Sequence, residues 1–290
     1  MTATLTAPDG LVLQLRPGPA PAGPLRGTVL LVHGLGEHAG RYGHVMDRLA
    51  GEGWQTLAYD QRGHGRSPGP RGGIPSTEAL LADLGTVVHH ARHALPGPLL
   101  LLGHSLGGLL AGRYVAEGLS AAPAPWWHVV DGLVMSSPAL DPGMNAFQKA
   151  LLAVAAPLAP DAALGNGLKP AWVSRDPAVV RAYMADPLVH DRITPRLVRF
   201  IVDAGALVRA RAAVAGAHAA AVRRRRPLRR AGRQRGLRRR GAAGGAARAA
   251  LRRPGPRDLQ RARAGPRAGR PGRLAGRAHA PGLTARRPRV

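Results

Sequence analysis

The sequence predicts an α/β fold in which a mostly parallel sheet is covered by helices on both faces. Four short apolar runs alternate with stretches of helical spacing, and this alternation is typical of a parallel sheet. Turns that contain Gly or Pro follow the apolar runs. The 290 residues are enough for one large domain of this kind with an added helical segment.

Strands and helices are predicted in alternating order along the first half of the chain. Apolar runs with β-branched members predict strands over residues 28–32, 54–59, 99–102 and 129–136. Apolar residues at helical spacing predict helices over residues 42–52, 77–95 and 109–118.

Residues 142–212 break this alternation and predict a helical lid. Helices are predicted over residues 146–155, 177–184 and 194–210, joined by links rich in Pro and Gly. We therefore expect one domain in three parts. Residues 1–141 form the N-terminal part of the core, residues 142–212 form the lid and the return to the core, and residues 213–290 form a tail of different composition.

The net charge of +26 is concentrated in this tail. Residues 214–290 contain 24 of the 42 basic residues, all of them Arg, and one acid, whereas the first 213 residues carry 18 basic and 15 acidic residues. The nearly neutral body therefore argues against a nucleic-acid-binding core. The tail contains no Phe, Trp or Tyr. Because it has too little apolar surface to offset the entropy of ordering, we expect it to be disordered on its own.

The chain contains no Cys, which excludes disulfides and thiolate metal sites and favours a reducing compartment. The first residues do not show the basic start, apolar stretch and small-residue cleavage site of a secretory signal, and no apolar run approaches membrane-spanning length. The expectation is a soluble cytoplasmic protein without a transmembrane segment. No metal site is indicated, and neither is an oligomeric state.

The segment Gly103-His104-Ser105-Leu106-Gly107 matches the G-x-S-x-G pattern of a nucleophile elbow. An apolar strand is predicted before it and a helix after it, which is the context that this motif needs. The glycines Gly103 and Gly107 are expected because a sharp strand-to-helix turn leaves no room for neighbouring side chains. Ser105 is therefore the candidate nucleophile. The alternative is an ordinary Gly-rich turn at a helix start.

A second motif, His33-Gly34-Leu35-Gly36-Glu37-His38, follows the first predicted strand. In a fold with a nucleophile elbow, such a loop supplies one of two backbone N–H groups that stabilise a tetrahedral oxyanion. The candidate donors are the N–H groups of Leu35 and Leu106, and Gly34 and Gly36 allow the loop to approach the substrate. We expect His33 to orient the loop and not to act as a base.

These motifs together resemble the monoacylglycerol lipase-like and lysophospholipase-like hydrolases, a group also described as serine aminopeptidase-like. The resemblance covers about residues 9–213 and rests on residues 33–42, 60–67, 103–108, 174–177 and 186–190. It implies an α/β-hydrolase fold and a serine ester hydrolase with an acyl-binding lid over Ser105, acting on a small ester or lipid without a cofactor. The substrate stays open among monoacylglycerol, lysophospholipid, simple ester and peptide. Asp60, Arg62 and His64 are expected to stabilise a turn.

The sequence departs from this family after residue 213. A serine nucleophile needs an acid and then a base later in the chain, yet the tail contains no strand-like run and only two histidines, His218 and His279. Asp141 follows the fourth predicted strand and is an alternative acid, although a lid-hinge role is the first interpretation. The chain is therefore expected to be inactive or weakly active as it stands.

The abrupt onset of Arg, Ala, Gly and Pro is typical of a GC-rich coding sequence translated in the wrong frame. Shifted one nucleotide forward, the codons of residues 214–231 can encode WRVPTLLLYAGADRCVAP, an apolar run followed by an acid. In the same frame, the codons from Pro256 onward can encode HEIFNEP. The hypothesis is a frameshift near residues 211–214.

Two other functions remain as alternatives. The Arg-rich tail permits non-specific binding of polyanions, so a nucleic-acid-binding protein on a degenerate hydrolase scaffold is the second interpretation. The lack of Lys and aromatic residues in the tail argues against it. The third interpretation is a non-catalytic interaction protein, against which the intact elbow around Ser105 argues.

Overall fold

The computed structural model describes residues 3–225, and side chains as far as residue 212. Six strands form one sheet in the order β1-β2-β4-β3-β5-β6, and two short strands pair elsewhere. The strands are β1 (Ala3–Thr6), β2 (Val12–Pro17), β3 (Gly27–Val32), β4 (Trp54–Asp60), β5 (Leu99–His104), β6 (Gly132–Ser136), β7 (Leu164–Gly165) and β8 (Arg192–Ile193). The α-helices are α1 (Gly43–Gly51), α2 (Ala79–Ala94), α3 (Leu106–Glu117), α4 (Ala146–Leu158), α5 (Pro177–Ala185) and α6 (Pro195–Arg225).

The central strands are parallel, as predicted. β3 pairs with both β4 and β5, and β5 pairs with β6. Every residue of β3 is buried, which explains why it reads as a continuous apolar run. The structure belongs to the α/β class that the sequence predicts.

Two antiparallel strands at the N-terminus were not predicted. β1 pairs with β2 through a turn in which Gly10 has a φ of 85°, and β2 pairs antiparallel with β4. Their residues alternate between more and less buried positions, so they present no continuous apolar run. The alternation and the Asp9-Gly10 pair are the signals that could have identified this hairpin.

Helices cover both faces of the sheet. On one face, α2 and α3 bury apolar residues such as Leu84, Val88 and Leu109 in the main hydrophobic core. On the other face, α1 packs Met46 against Val29 and its neighbours on the sheet. Buried apolar surface on both faces is the main contribution to the stability of such a sheet.

Several element boundaries differ from the prediction. α3 begins at Leu106, directly after Ser105, and not near residue 109. β6 begins at Gly132 and not at residue 129. α6 continues to Arg225, so the first residues of the predicted tail are helical, which suits the helix propensity of Ala and Arg. Residues 226–290, the rest of that tail, lie outside the described residues.

Residues 142–225 contain α4, α5, the β7–β8 pair and α6. α6 returns to the core, where Phe200, Ala204 and Val208 are buried. α4 contacts α6 but leaves Phe147 76% exposed and Leu158 80% exposed. Within residues 3–225, no helix is long and apolar enough to cross a membrane.

The turn after β4 is held by charged side chains. Asp60 accepts bonds from the N–H groups of Ala39 (2.8 Å) and Arg66 (2.9 Å). The guanidinium of Arg62 donates two bonds of 2.6 Å to the buried carboxylate of Asp83. These contacts agree with the turn-stabilising role expected from the sequence.

Candidate active site

Ser105 lies in the sharp turn between β5 and α3. Its φ is 52° and its ψ is −117°, a conformation that L-residues rarely adopt. Three hydrogen bonds of 3.0 Å hold this backbone: Ser105 N–H donates to the carbonyl of Ser136, and the Ser105 carbonyl accepts from the N–H groups of Leu109 and Ala139. Strain of this kind costs about 1–3 kcal/mol and clusters at functional sites. The observed backbone therefore marks Ser105 as a functional candidate.

The two predicted elbow glycines, Gly103 and Gly107, occupy places where the backbone leaves no room for a Cβ. At Gly103, a Cβ would collide with the carbonyl of Gly107, and at Gly107 it would collide with the carbonyls of Val32 and His33. These close approaches set α3 tightly against β3. The nucleophile turn consequently depends on both glycines.

The loop after β3 reaches Ser105 through Gly34. A Cβ on Gly34 would lie 3.3 Å from the Cβ of Ser105 and 2.8 Å from Oε1 of Glu37. Gly36 has a φ of 74°, and its carbonyl accepts a 3.0 Å bond from the N–H of His190. The loop is thus held between the nucleophile turn on one side and the lid on the other.

Two backbone N–H groups are free to act as oxyanion donors at this site. Leu106 is the first residue of α3, so its N–H has no intrahelical partner and lies at the positive end of the helix dipole. Among the described residues, the N–H of Leu35 donates to no other protein atom. The N–H of Gly34, in contrast, donates to Glu37 at 2.7 Å. The N–H groups of Leu35 and Leu106 are therefore available for the oxyanion role predicted from the sequence.

Glu37 fixes the shape of this loop, a role that the sequence analysis missed. Its Oε1 accepts from the N–H of Gly34 and from the hydroxyl of Tyr42 (2.6 Å), and its Oε2 accepts from Nε of Arg41 at 3.2 Å. Burial, followed by the adjacent Glu37 carboxylate, raises the pKa of Tyr42, so its hydroxyl stays protonated and donates. The only sequence signal was the position of Glu37 within the motif.

His33 is buried and both of its ring nitrogens are occupied. Its Nε2 accepts from the N–H of Gln61 at 2.9 Å, so Nδ1 carries the proton and faces the carbonyl of Gly34 at 2.8 Å. Burial lowers the pKa of His33 and keeps the ring neutral. These bonds agree with the loop-orienting role expected for His33 and leave no nitrogen to serve Ser105.

A cavity of about 320 Å³ lies over Ser105. From the core side it is lined by Gly34, Leu35, Glu37, His104, Ser105 and Ser137. From the lid side it is lined by Leu168, Lys169, Pro170, Trp172, Val173 and Tyr183. Most of the lid residues are apolar, so the cavity offers an apolar wall opposite the candidate nucleophile.

Ser137 is a second strained residue in this cavity, with a φ of 44°. Ser105 and Ser137 are the non-glycine residues with positive φ among those that the structure describes, and both line the same cavity. Its place after a predicted strand was the one sequence signal for Ser137. Asp141, the alternative acid, is exposed; its carboxylate accepts from the N–H of Gly143 and lies 3.9 Å from Arg209.

The lid is fastened to the loop after β3 by three contacts. Nε2 of His38 lies 2.8 Å from Oδ2 of Asp186. The guanidinium of Arg41 lies over the ring of Tyr183, 4.7 Å from its centroid. The third contact is the bond between His190 and Gly36. These contacts join the loop beside Ser105 to residues 183–190 of the predicted lid.

The described part of the chain does not place a base beside Ser105. Nδ1 of His104 faces the hydroxyl of Ser136 at 3.1 Å, and no bond joins its ring to Ser105. His38 has a carboxylate partner, but its Nδ1 accepts from the N–H of Gly40 and its Nε2 faces Asp186. Among residues 3–225, no group of three or more His, Cys, Asp or Glu side chains could hold a metal ion.

Comparison with known proteins agrees with this geometry. The family model described as serine aminopeptidase, S33, matches residues 23–218. A monoacylglycerol lipase of Mycolicibacterium smegmatis is 38% identical over 192 residues, which cover 65% of this chain and 65% of that protein. The chain spans less than two thirds of the length of the curated relatives it matches.

Solved structures give the same result. The monoacylglycerol lipase of Paleococcus ferrophilus is 39% identical, with a TM-score of 0.57 over 68% of this chain and 71% of that one. A soluble variant of the monoglyceride lipase of Saccharomyces cerevisiae has a TM-score of 0.58 over 71% of this chain and 70% of that one. At 24% identity, this second likeness bears on the fold alone.

Proposed function

The chain belongs to the serine aminopeptidase S33 family of α/β-hydrolases, and from this premise we propose that it is built to cleave carboxylic esters of monoacylglycerols or lysophospholipid-like lipids. The observation that carries the proposal is the strained Ser105 at the floor of a cavity whose lid side is mostly apolar. A long acyl chain needs such a wall, whereas a peptide substrate needs polar partners for its backbone.

The proposed reaction proceeds through an acyl-enzyme on Ser105. A base takes the hydroxyl proton as Oγ bonds to the ester carbonyl carbon, and the carbonyl electron pair moves to the oxygen. The N–H groups of Leu35 and Leu106 donate to this oxyanion. The C–O bond then breaks and the alcohol leaves with the proton. Water repeats the sequence on the acyl-enzyme, releasing the carboxylic acid and restoring Ser105. No cofactor takes part.

The chain as it stands is proposed to carry only part of this machinery. Ser105 and the two donors lie in the body, but its described residues supply no base at Ser105 and no acid to orient one. Loss of the base or the acid lowers turnover by several powers of ten. We therefore expect weak or no ester hydrolysis from the chain with its present tail. We also propose that the protein is cytoplasmic, since the body up to residue 213 contains no Cys and needs no oxidising compartment.

The test compares fatty-acid release from a monoacylglycerol, a lysophospholipid and a short-chain p-nitrophenyl ester with amine release from an aminoacyl p-nitroanilide. The chain as it stands and a version with the reading frame shifted after codon 213 are assayed side by side, each with Ser105→Ala as control. We expect turnover of the esters by the shifted-frame protein, lost in Ser105→Ala. Preference for the anilide, or turnover that survives Ser105→Ala, would contradict the proposal.

Binding of polyanions by the tail is the second candidate function. It is favoured by one observation, the 24 Arg and one acid among residues 214–290. Such binding would weaken steeply as salt is raised, because it releases counterions from the nucleic acid. A titration of single-stranded DNA at 50 and 200 mM salt, with a chain ending at residue 213 as control, tests it. Binding that is absent, or the same without the tail, removes this candidate.

A further inference from the structure

The sheet ends in an uncovered apolar strand on the side of Ser105. β6 pairs with β5, and no strand among residues 3–225 pairs with its other edge. Val134 is 49% exposed and Met135 is 39% exposed, although both lie in the strand next to the nucleophile turn. Folded proteins cover or charge such an edge. The body therefore lacks a neighbour for β6.

The described part of the chain also lacks a histidine that could act as the base beside Ser105. His128 and His190 are the histidines that follow Ser105 among the residues whose side chains the structure describes, up to residue 212. The ring of His128 packs against that of His89, with 4.8 Å between centroids, and Nδ1 of His190 accepts from the N–H of Arg192. Neither ring lies at Ser105. In this order of elements, an acid and then a base must come from later in the chain.

We propose that the coding sequence changes reading frame near codon 213, and that the alternative frame encodes both the strand that covers β6 and the missing acid and base. The genetic code explains the composition. In the shifted frame, the last two bases of an Arg codon CGN become the first two bases of a new codon, which is completed by the first base of the next codon. A codon that begins with G specifies Ala, Gly, Val, Asp or Glu. Wherever the 24 Arg of residues 214–290 are encoded by CGN codons, the shifted frame can encode small, apolar and acidic residues in their place.

The shifted frame can also encode the required elements in the required order. Over residues 214–231 it can encode WRVPTLLLYAGADRCVAP, in which the proline ends α6 early and the run TLLLY predicts a strand beside β6. The aspartate codon of this segment straddles Arg226 and Pro227. The histidine codon of HEIFNEP straddles Pro256 and Arg257. About thirty codons separate them, enough for the helix that a crossover between parallel strands requires.

The chemistry of this inference rests on the proposed function, but its structural part does not. The encoded histidine would accept the Ser105 hydroxyl proton and return it to the leaving alcohol, while the encoded aspartate orients the imidazole. The encoded strand would cover β6 whether or not any ester is cleaved. The two claims can therefore fail separately.

The first test is the nucleotide sequence itself. We expect its shifted frame to stay open from codon 213 past the histidine codon, with the third bases that the two segments require. A stop codon before the histidine codon, or third bases that remove the aspartate or the histidine, overturns the inference.

The second test uses the protein with its present tail and the protein with the frame shifted after codon 213. Hydrogen exchange of β6 is expected to slow at least about 100-fold in the shifted-frame protein, because its edge gains a partner. Its ester turnover is expected to exceed that of the present chain at least about 1000-fold, and to be lost when the histidine codon is changed to an Ala codon.

The outcomes separate the two claims. Slow β6 exchange without Ser105-dependent turnover supports the frame inference and contradicts the proposed function. A shifted-frame protein that is no more soluble than the present chain, or whose β6 exchanges equally fast, overturns the inference. Measurable Ser105-dependent turnover that is equal in the two proteins overturns it as well.

Discussion

Nε2 of His38 lies 2.8 Å from Oδ2 of Asp186, which joins the loop beside Ser105 to the segment that follows α5. Nδ1 of His38 accepts from the N–H of Gly40, so the proton is on Nε2 and points at the carboxylate even in the neutral ring. Burial tends to raise the pKa of Asp186, but the hydrogen bonds from His38 and from the N–H of Leu188 outweigh it and leave the pKa lowered. We call this contact between His38 and Asp186 the latch, because it joins the loop after β3 to the predicted lid.

The first prediction concerns this latch. Asp186→Asn keeps an acceptor for Leu188 but removes the charge that faces His38, so local opening of residues 186–190 becomes easier by about 1 kcal/mol. Amide exchange there, measured by mass spectrometry at neutral pH, is expected to be about fivefold faster.

The exposed Asp191 provides the control for the latch, since Asp191→Asn leaves the bond between His38 and Asp186 intact. Because the pKa of Asp186 is lowered, the contribution of the latch is present at neutral pH and disappears as the pH falls through that lowered value. Equal exchange rates in the two variants would show that the latch does not hold the lid.

The second prediction concerns the contact between α3 and β3. Gly107→Ala would press a Cβ onto the carbonyls of Val32 and His33, and is expected to lower the free energy of unfolding by about 2–3 kcal/mol. Gly51→Ala, at the exposed end of α1 with open space around the new Cβ, is expected to raise it by up to about 1 kcal/mol. Urea unfolding of both variants measures the difference. A Gly107→Ala protein as stable as the parent would mean that α3 does not approach β3 this closely.

The third prediction concerns the strain at Ser105. Both Ser105→Ala and Ser105→Gly remove the hydroxyl, but only glycine adopts a φ of 52° and a ψ of −117° without steric cost. Ser105→Gly is therefore expected to be more stable than Ser105→Ala by about 1 kcal/mol, which corresponds to about 2–4 °C in Tm. The comparison is made by calorimetry. Identical Tm values would argue that the turn is relaxed.

The fourth prediction concerns three histidines whose rings lie next to one another, His33, His64 and His190. The ring centroids of His33 and His64 lie 5.3 Å apart, and those of His64 and His190 lie 4.7 Å apart. Burial lowers the pKa of all three, that of His190 to about 4, where the positive charge of Arg71 adds to the effect. The folded protein therefore keeps these rings neutral at a pH where the unfolded chain takes up protons.

The sign of the pH effect follows from these lowered values. Stability from the neutral rings is fully present above the ordinary His pKa of about 6.5 and is lost as the pH falls below it, in the case of His190 down to its pKa of about 4. We expect Tm to fall over this range, and the slope to flatten in His64→Phe relative to the exposed control His44→Gln. A slope unchanged by His64→Phe would mean that other groups set the acid stability.

The sequence predicted the parallel part of the sheet well because burial on both faces leaves a simple pattern. β3, β4 and β5 were located within two residues of their observed ends. β1 and β2 were missed because their half-buried residues alternate with polar ones and form no dense apolar run. A strand that is buried on both faces leaves a continuous apolar run in the sequence. Such a run is easier to recognise than the alternating pattern of a strand that is buried on one face.

At the candidate site, the motifs located the residues that local backbone geometry requires. Gly103, Gly107 and Ser105 are determined within one turn, so a pentapeptide is enough to find them. The roles of Glu37 and Asp186 were missed because they depend on contacts with Gly34 and His38, which no local pattern specifies. Ser137 was missed because its backbone conformation is visible only in three dimensions.

The bare edge of β6 has a consequence for the life of this chain in a cell. An exposed apolar strand such as the one carrying Val134 and Met135 is a template on which other extended chains can add, including copies of itself. A chain that leaves this edge open is expected to aggregate, to be retained by chaperones and to be degraded rapidly. Its abundance would then be set by protein quality control and not by the rate at which it is synthesised.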